Sequence, residues 1–332
     1  MQAMQLNKTA PIDQKPLQLV ELPDPEPGEG QIRIAVKACA LCHTDLHIVE
    51  GELPPHLRPV VPGHQIVGKV DKCGPGVSHF KEGDRVGVPW LYHTDGTCRY
   101  CRSGRENLCE HGQFTGYDAN GGYASYNIVD QDFAYALPDN FDDLQAAPLL
   151  CAGVIGYRAM KQAEVKPGSR VGLYGFGASA HICIQIARHW DCEVYVFTRG
   201  EEHRQLSRQL GAKWSGSAGD PIPTALDHSI IFAPAGGLVI EALKTLDKGG
   251  TLALAGIYMT PIPSFDYSLI YGERTVRSVA NSTRQDAIEL LKLAAEIPVK
   301  TEIQLFELAE LNEALLKLKT GQINGSGVVK IA

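Results

Sequence analysis

The sequence predicts an α/β protein of two domains, a β-rich domain and a doubly wound parallel sheet. Three observations predict it. Short alternating strands punctuated by Pro and Gly clusters occupy the first part of the chain. Beyond it, strands alternate with helices of about ten residues, the grammar of a parallel sheet with crossover helices. Where that series begins, Gly175-Phe-Gly177-Ala-Ser-Ala180 stands between a strand and a helix. That is the setting in which a glycine-rich turn receives a dinucleotide.

The elements follow in order. Residues 31–37 and 65–70 alternate with the period of a half-buried strand. The Pro and Gly clusters at 23–28, 73–77 and 81–84 separate them from their neighbours. Residues 170–174 read as a short buried strand, 182–188 as an apolar helical stretch, 193–198 as the next strand and 201–210 as the next helix. Strands are expected at 229–232 and 250–256, with a helix over 236–246 between them. The tail adds a helix from Gln285, a second over 308–320, and a last strand over 327–331. The expected domains are 1–149 with a C-terminal return over 285–332, and 150–284.

A chain of 332 residues suits two domains. Its net charge of −7 supplies no basic field for nucleic acid or an anionic membrane. No run of about 18 apolar residues is present and residues 1–8 lack a signal-peptide core, so a cytoplasmic location is expected. The nine Cys are then read as ligands or buried thiols in a reducing compartment.

Cys98, Cys101 and Cys109 crowd into twelve residues, with Asp95 three residues before the first. Thiolates grouped this tightly suit a tetrahedral zinc. Three thiolates and a carboxylate carry the same charge as four thiolates. A disulfide or idle thiols are the alternative, and an odd number of Cys fits metal better. Asp95 itself either supplies the fourth ligand or faces solvent beside a three-ligand site.

In the glycine motif, Gly175 permits the tight turn and Gly177 lets backbone N–H groups approach a pyrophosphate at the helix start. Ala180 fills the slot where a small residue allows close helix–strand packing. The following strand ends in Thr198-Arg199 rather than the acidic residue that accepts from the ribose of NAD. Thr198, Arg199 and Arg204 suit a 2′-phosphate, so the reading leans to NADP(H). Glu201 and Glu202 keep NAD open.

Three further pieces are unspecific alone: Cys42-His43-Thr44-Asp45-Leu46-His47, Gly63-His64-Gln65, and Leu150-Cys151-Ala-Gly. In this order, with the cysteine cluster and a dinucleotide motif, the chain resembles the zinc-dependent alcohol dehydrogenases of the medium-chain dehydrogenase/reductase superfamily, over essentially its whole length. The resemblance implies a GroES-like catalytic domain and a Rossmann domain. It also implies that Cys42, His64 and Cys151 hold a catalytic zinc with one position open, and that Asp45 fixes the His64 imidazole. Thr44 then takes the alcohol proton, His47 is the distal relay, and His43 contacts the pyrophosphate. Asp95, Cys98, Cys101 and Cys109 fall on a structural zinc lobe, giving two zinc ions per chain. Trp90 walls the substrate pocket, and Leu53 is slimmer than the aromatic residue of strictly small-alcohol enzymes.

The implied reaction is hydride transfer between NAD(P) and a primary aliphatic or benzylic alcohol or its aldehyde, by a homo-oligomer, dimer or tetramer. A zinc-free quinone or enoyl reductase and a non-catalytic zinc- or nucleotide-binding relative are the rival readings. Four residues depart from the family pattern. Gln65 replaces a Glu, an isosteric but neutral change expected to make the metal more electrophilic. Asp95 replaces a Cys. Ile155 replaces a frequent Thr near the nicotinamide, and Ser326 an Arg for the pyrophosphate.

Overall fold

The computed structural model describes residues 1–297 and 299–332. The chain forms two compact units. One holds Met1–Cys151, Asn281–Glu296 and Thr301–Ala332; the other holds Ala152–Ala280 and Ile297–Lys300.

The first unit is built on the strand Gln31–Ala40. Its alternation works as the sequence predicts: Ile32, Ile34, Val36 and Ala38 are buried while the residues between them are less so. One edge pairs antiparallel with Ile66–Cys73. The other edge is shared by two strands. Tyr126–Asp130 covers residues 31–35, and the C-terminal strand Ser326–Lys330 covers residues 38–40. The C-terminal strand also pairs parallel with Ile303–Glu307. The tail is therefore a full member of the first unit's sheet. Arg85–Val88 and Tyr135–Ala136 extend the other side, and a hairpin of Gln2–Leu6 and Leu17–Glu21 lies at the N-terminus. Ile32, Ile34, Val70, Val86, Val88 and Phe133 belong to the core beneath. Each such side chain contributes about 1.5–3 kcal/mol by leaving water.

The second unit carries the doubly wound sheet. Six parallel strands lie in the order Trp214–Gly216, Glu193–Phe197, Arg170–Tyr174, Leu226–Ile231, Leu246–Leu254 and Thr275–Ser278 among the described residues. In chain order this is 3-2-1-4-5-6, the dinucleotide-binding arrangement. The helix after the glycine motif spans Ala178–His189, starting earlier than the apolar pattern at Ile182 because the small residues Ala178, Ser179 and Ala180 open it. The strands expected at 229 and 250 begin at Leu226 and Leu246, and Ala255 and Gly256 lie beyond the second. The last expected helix splits into a 3₁₀ turn, Leu308–Glu310, and a helix, Leu311–Lys319. No helix of the described residues is long and apolar enough to cross a membrane.

Candidate active site and metal centres

The central strand of the first unit runs directly into the helix His43–Glu50. Apolar periodicity hardly marks so short a helix; its caps specify it. Cys42 is the N-cap, and its sulfur accepts from the Thr44 N–H at 3.5 Å. Asp45 at the third helical position returns Oδ2 to the Cys42 N–H at 2.9 Å, completing a capping box. Gly51 in the left-handed conformation ends the helix. One motif thus aims the Cys42 sulfur and buries the Asp45 carboxylate.

His64 arrives from the strand's antiparallel neighbour. Gly63 before it has φ +99°, and a Cβ there would meet the Cys39 sulfur at 2.9 Å and the Tyr123 ring at 3.0 Å, so only glycine fits. His64 is fully buried and its Nδ1 lies 2.9 Å from Asp45 Oδ1. Tyr123 donates its hydroxyl to Asp45 Oδ2 at 2.9 Å. A carboxylate only accepts, so the His64 proton sits on Nδ1 and Nε2 is left as the basic nitrogen. That Nε2 is buried with no hydrogen-bond partner among the described residues.

Cys151 follows the buried turn Ala147–Leu150 and precedes the helix Ala152–Gln162. Its sulfur is 4.0 Å from that of Cys42. The ligand atoms of Cys42, His64 and Cys151 all lie within 4.8 Å of one another. Two thiolates on one tetrahedral zinc are about 3.8 Å apart, given Zn–S bonds of about 2.3 Å. The spacing and the orphaned Nε2 both fit a zinc ion. The protonation pattern fits as well. The hydrogen bond from the Cys151 thiol, then the His64 imidazole, hold Cys42 well below the usual thiol range. The same bond, with burial, holds Cys151 well above it. Burial disfavours charge on His64, but Asp45 and Cys42 outweigh it and raise its pKa to about 10. A dication bound here takes the place of the Cys151 thiol proton and of any proton on His64 Nε2, while Cys42 is already favoured as the thiolate.

The surroundings are apolar on one side. The Trp90 ring stands edge-on to His64 with centroids 4.8 Å apart, and Phe114 stacks on Trp90 at 5.1 Å. Tyr117, buried, is 6.0 Å from Trp90. On the polar side, the Thr44 hydroxyl lies 3.5 Å from the Cys42 sulfur. His47 sits one turn further along the same face of the helix. The Leu53 N–H donates to the His47 carbonyl at 3.0 Å, and its side chain packs half-buried against the core. His43 is exposed. Gln65 is buried and donates Nε2 to the Leu41 carbonyl at 3.0 Å, just before the Cys42 cap. A glutamate in this rotamer would set oxygen against oxygen, so the amide is the group that fits here. Ser326 is buried within the last strand.

Asp95, Cys98, Cys101 and Cys109 also meet, with ligand atoms within 4.8 Å of one another. The Cys98 and Cys101 sulfurs are 3.6 Å apart, a metal-sharing distance and far from a disulfide. Asp95 Oδ1 accepts the N–H of Thr97 at 2.7 Å and of Cys98 at 2.8 Å. Those N–H groups hold its carboxyl well below the usual range. Burial, then Cys98, push the Cys101 thiol up to about 12, while the Cys101 N–H lowers Cys98. Buried Glu106, between the cysteines, accepts the Arg284 N–H at 3.0 Å and anchors the lobe to the helix Arg284–Glu296.

In the second unit, Gly175 has φ +89° and a Cβ there would press on Ala233 at 3.1 Å. Gly177 is the N-cap of its helix and has open space where a Cβ would point. That cradle fits a phosphate at a helix N-terminus. Ala180 is fully buried. Where the second strand ends, the Thr198 N–H donates to Gly216. Arg204 clamps this turn by donating Nε to the Thr198 carbonyl at 3.0 Å and Nη2 to Ser217 Oγ at 2.7 Å. Arg199 is exposed. Glu201 is paired with Arg208 and lies 3.7 Å from Arg204.

Sequence reasoning missed Tyr123, Phe114 and Glu106. Gly121-Gly122 before Tyr123 were the available signal. A Cβ on either would collide, with the Gly63 carbonyl at 2.1 Å or Ile66 at 2.4 Å, so a close approach there was legible in principle.

Two family models match the chain: an alcohol dehydrogenase GroES-like domain over residues 28–139, and a zinc-binding dehydrogenase over residues 180–296. The sequence is 45% identical to the "Probable alcohol dehydrogenase AdhA" of Mycobacterium tuberculosis, across 100% of this chain and 97% of that relative. A cinnamyl alcohol dehydrogenase from Sorghum bicolor superposes with a TM-score of 0.90 at 29% identity, covering 98% of this chain and 97% of that one. The structure of CAD from Helicobacter pylori complexed with NADP(H) superposes with a TM-score of 0.88 at 25% identity, covering 99% of each chain.

Proposed function

Because the chain belongs to the zinc-type alcohol dehydrogenases of the medium-chain dehydrogenase/reductase superfamily, we propose that it exchanges hydride between NADP(H) and primary aliphatic or benzylic alcohols or their aldehydes, using a zinc held by Cys42, His64 and Cys151. The observation that carries this reading is the cluster itself: two sulfurs and an unpartnered buried imidazole nitrogen converging on one point. Three ligands, with no fourth side chain grouped with them among the described residues, leave a position for substrate. A zinc ion there supplies Lewis acidity that lowers the pKa of a hydroxyl, for bound water to about 7, and the nicotinamide supplies the hydride acceptor.

The chain's own residues do the rest. Asp45 and Tyr123 lock the His64 ring. The Thr44 Oγ1 beside Cys42 moves the alcohol proton toward His47. Trp90, Phe114 and Tyr117 form an apolar wall that favours a carbon chain or ring and excludes water. The Gly175–Ala180 turn seats the pyrophosphate. Thr198, Arg199 and Arg204 favour a 2′-phosphate, and the pairing of Glu201 with Arg208 supports this by drawing off its charge. Asp95, Cys98, Cys101 and Cys109 hold a second, closed zinc.

Metal analysis and a panel of alcohols and aldehydes with both nicotinamides test the reading. About two zinc ions per chain and turnover favouring NADPH are expected. One zinc without turnover would sink it in favour of a binding protein.

A homo-oligomer is part of the same proposal. The edge strand Thr275–Ser278 is exposed along its whole length, near Tyr267 and Tyr271 in sequence, which are 69% and 70% exposed. An exposed strand edge is a template on which a partner strand can pair. Light scattering is expected to give a dimer or tetramer, and Val276→Lys to shift it toward monomer. A monomeric native protein rejects this.

A further inference from the structure

We propose that Glu52 is a positioning residue for proton transfer: its carboxylate holds the His47 ring so that Nε2 is the basic nitrogen. The inference rests on the reading that His47 relays the alcohol proton. It starts from the end of the helix His43–Glu50. Gly51, with φ +83°, reverses the chain, and the Leu53 N–H closes the turn on the His47 carbonyl at 3.0 Å. That turn brings Glu52 back beside the side chain of His47. Glu52 Oε2 lies 2.5 Å from His47 Nδ1.

The neighbouring carboxylate does not compete for the ring. Glu50 is held by Lys319 Nζ at 2.7 and 3.0 Å and by the Ile12 N–H at 2.8 Å. An ionised carboxylate can only accept, so Nδ1 carries the proton and Nε2 presents a lone pair. Thr44 lies three residues earlier on the same helix face. Asp45 does for His64 what Glu52 does here: a fixed carboxylate selects the tautomer of a working imidazole. The His47 side chain is 12% exposed and that of Glu52 48%, so the pair joins a sheltered ring to solvent. A proton reaching Nε2 gives an imidazolium paired with the carboxylate. Loss of one proton to water restores the neutral ring, and the carboxylate is unchanged.

The test uses holoenzyme with ¹⁵N-labelled histidine, and kinetics of Glu52→Ala, Glu52→Gln and His47→Gln. In the native protein the His47 nitrogens should report a single tautomer protonated at Nδ1. Glu52→Ala should give a tautomer mixture and lower kcat for alcohol oxidation about tenfold, with KM changed less than about twofold. Glu52→Gln keeps an acceptor oxygen and should restore the tautomer and most of kcat. An unchanged tautomer in Glu52→Ala, or equal losses in the Ala and Gln variants, would overturn the proposal. Full activity in His47→Gln would instead remove the relay reading, while the nitrogen spectra would still decide whether Glu52 sets the ring.

Discussion

Asp45→Ala is expected to destabilise the protein by about 3–5 kcal/mol, the range for breaking a buried charged pair from one side, and to weaken zinc binding by about 10–100-fold. The carboxylate is wholly buried and serves three donors at once: the Cys42 N–H, His64 Nδ1 and the Tyr123 hydroxyl. Alanine removes the acceptor and leaves all three partners behind, and an unsatisfied buried donor costs about 1–3 kcal/mol. Two consequences differ in kind. Loss of the capping box loosens the helix that aims Cys42, which shows as stability. Loss of the bond to Nδ1 frees the His64 tautomer, which shows as metal affinity. Urea denaturation of the zinc-loaded protein and competition with a chelator read the two separately. Tyr123→Phe, which removes one donor and keeps the carboxylate, should cost about 1 kcal/mol by the net worth of a hydrogen bond. A loss below 1 kcal/mol in Asp45→Ala would show that the network does not hold the site.

Such a network explains which parts of this molecule can be read from sequence. The cysteine lobe is legible because its four clustered side chains lie within one short segment, where spacing and geometry are nearly the same thing. The dinucleotide turn is legible because a strand, two small-residue demands and a helix follow in direct succession. The strand Gln31–Ala40 declares itself by alternation, because one face is buried. The helix His43–Glu50 does not, since its identity rests on the reciprocal caps of Cys42 and Asp45 rather than on an apolar stripe. The helix Ala152–Gln162 escapes for another reason: it contains two glycines, which weaken its helical signal. Nothing local reveals that Tyr123 reaches Asp45 across 78 residues, or that the final strand pairs with the one leading to Cys42. Those contacts depend on the sheet's register, which only the folded chain fixes. The cluster of Cys42, His64 and Cys151 is legible only through family resemblance, and the buried Nε2 of His64 that turns toward it appears only in three dimensions.

Arg199→Asp is expected to lower kcat/KM with NADPH by about a hundredfold, equal to about 2.7 kcal/mol, while changing that with NADH by less than about threefold. The two arginines near the end of the second strand are not equivalent. Arg204 spends two of its donor groups on the Thr198 carbonyl and Ser217, so it shapes the turn as much as it offers charge. Its removal should reduce activity with both cofactors. Arg199 is exposed and makes no hydrogen bond among the described residues, which leaves its guanidinium for a phosphate. Reversing its charge sets like against like at the 2′-position, where repulsion amounts to several kcal/mol, and leaves the ribose hydroxyl of NADH an acceptor. The ratio of the two kcat/KM values therefore separates recognition from turn geometry. Equal losses with both cofactors would assign Arg199 a structural role, and a native preference for NADH of tenfold or more would remove the 2′-phosphate reading altogether.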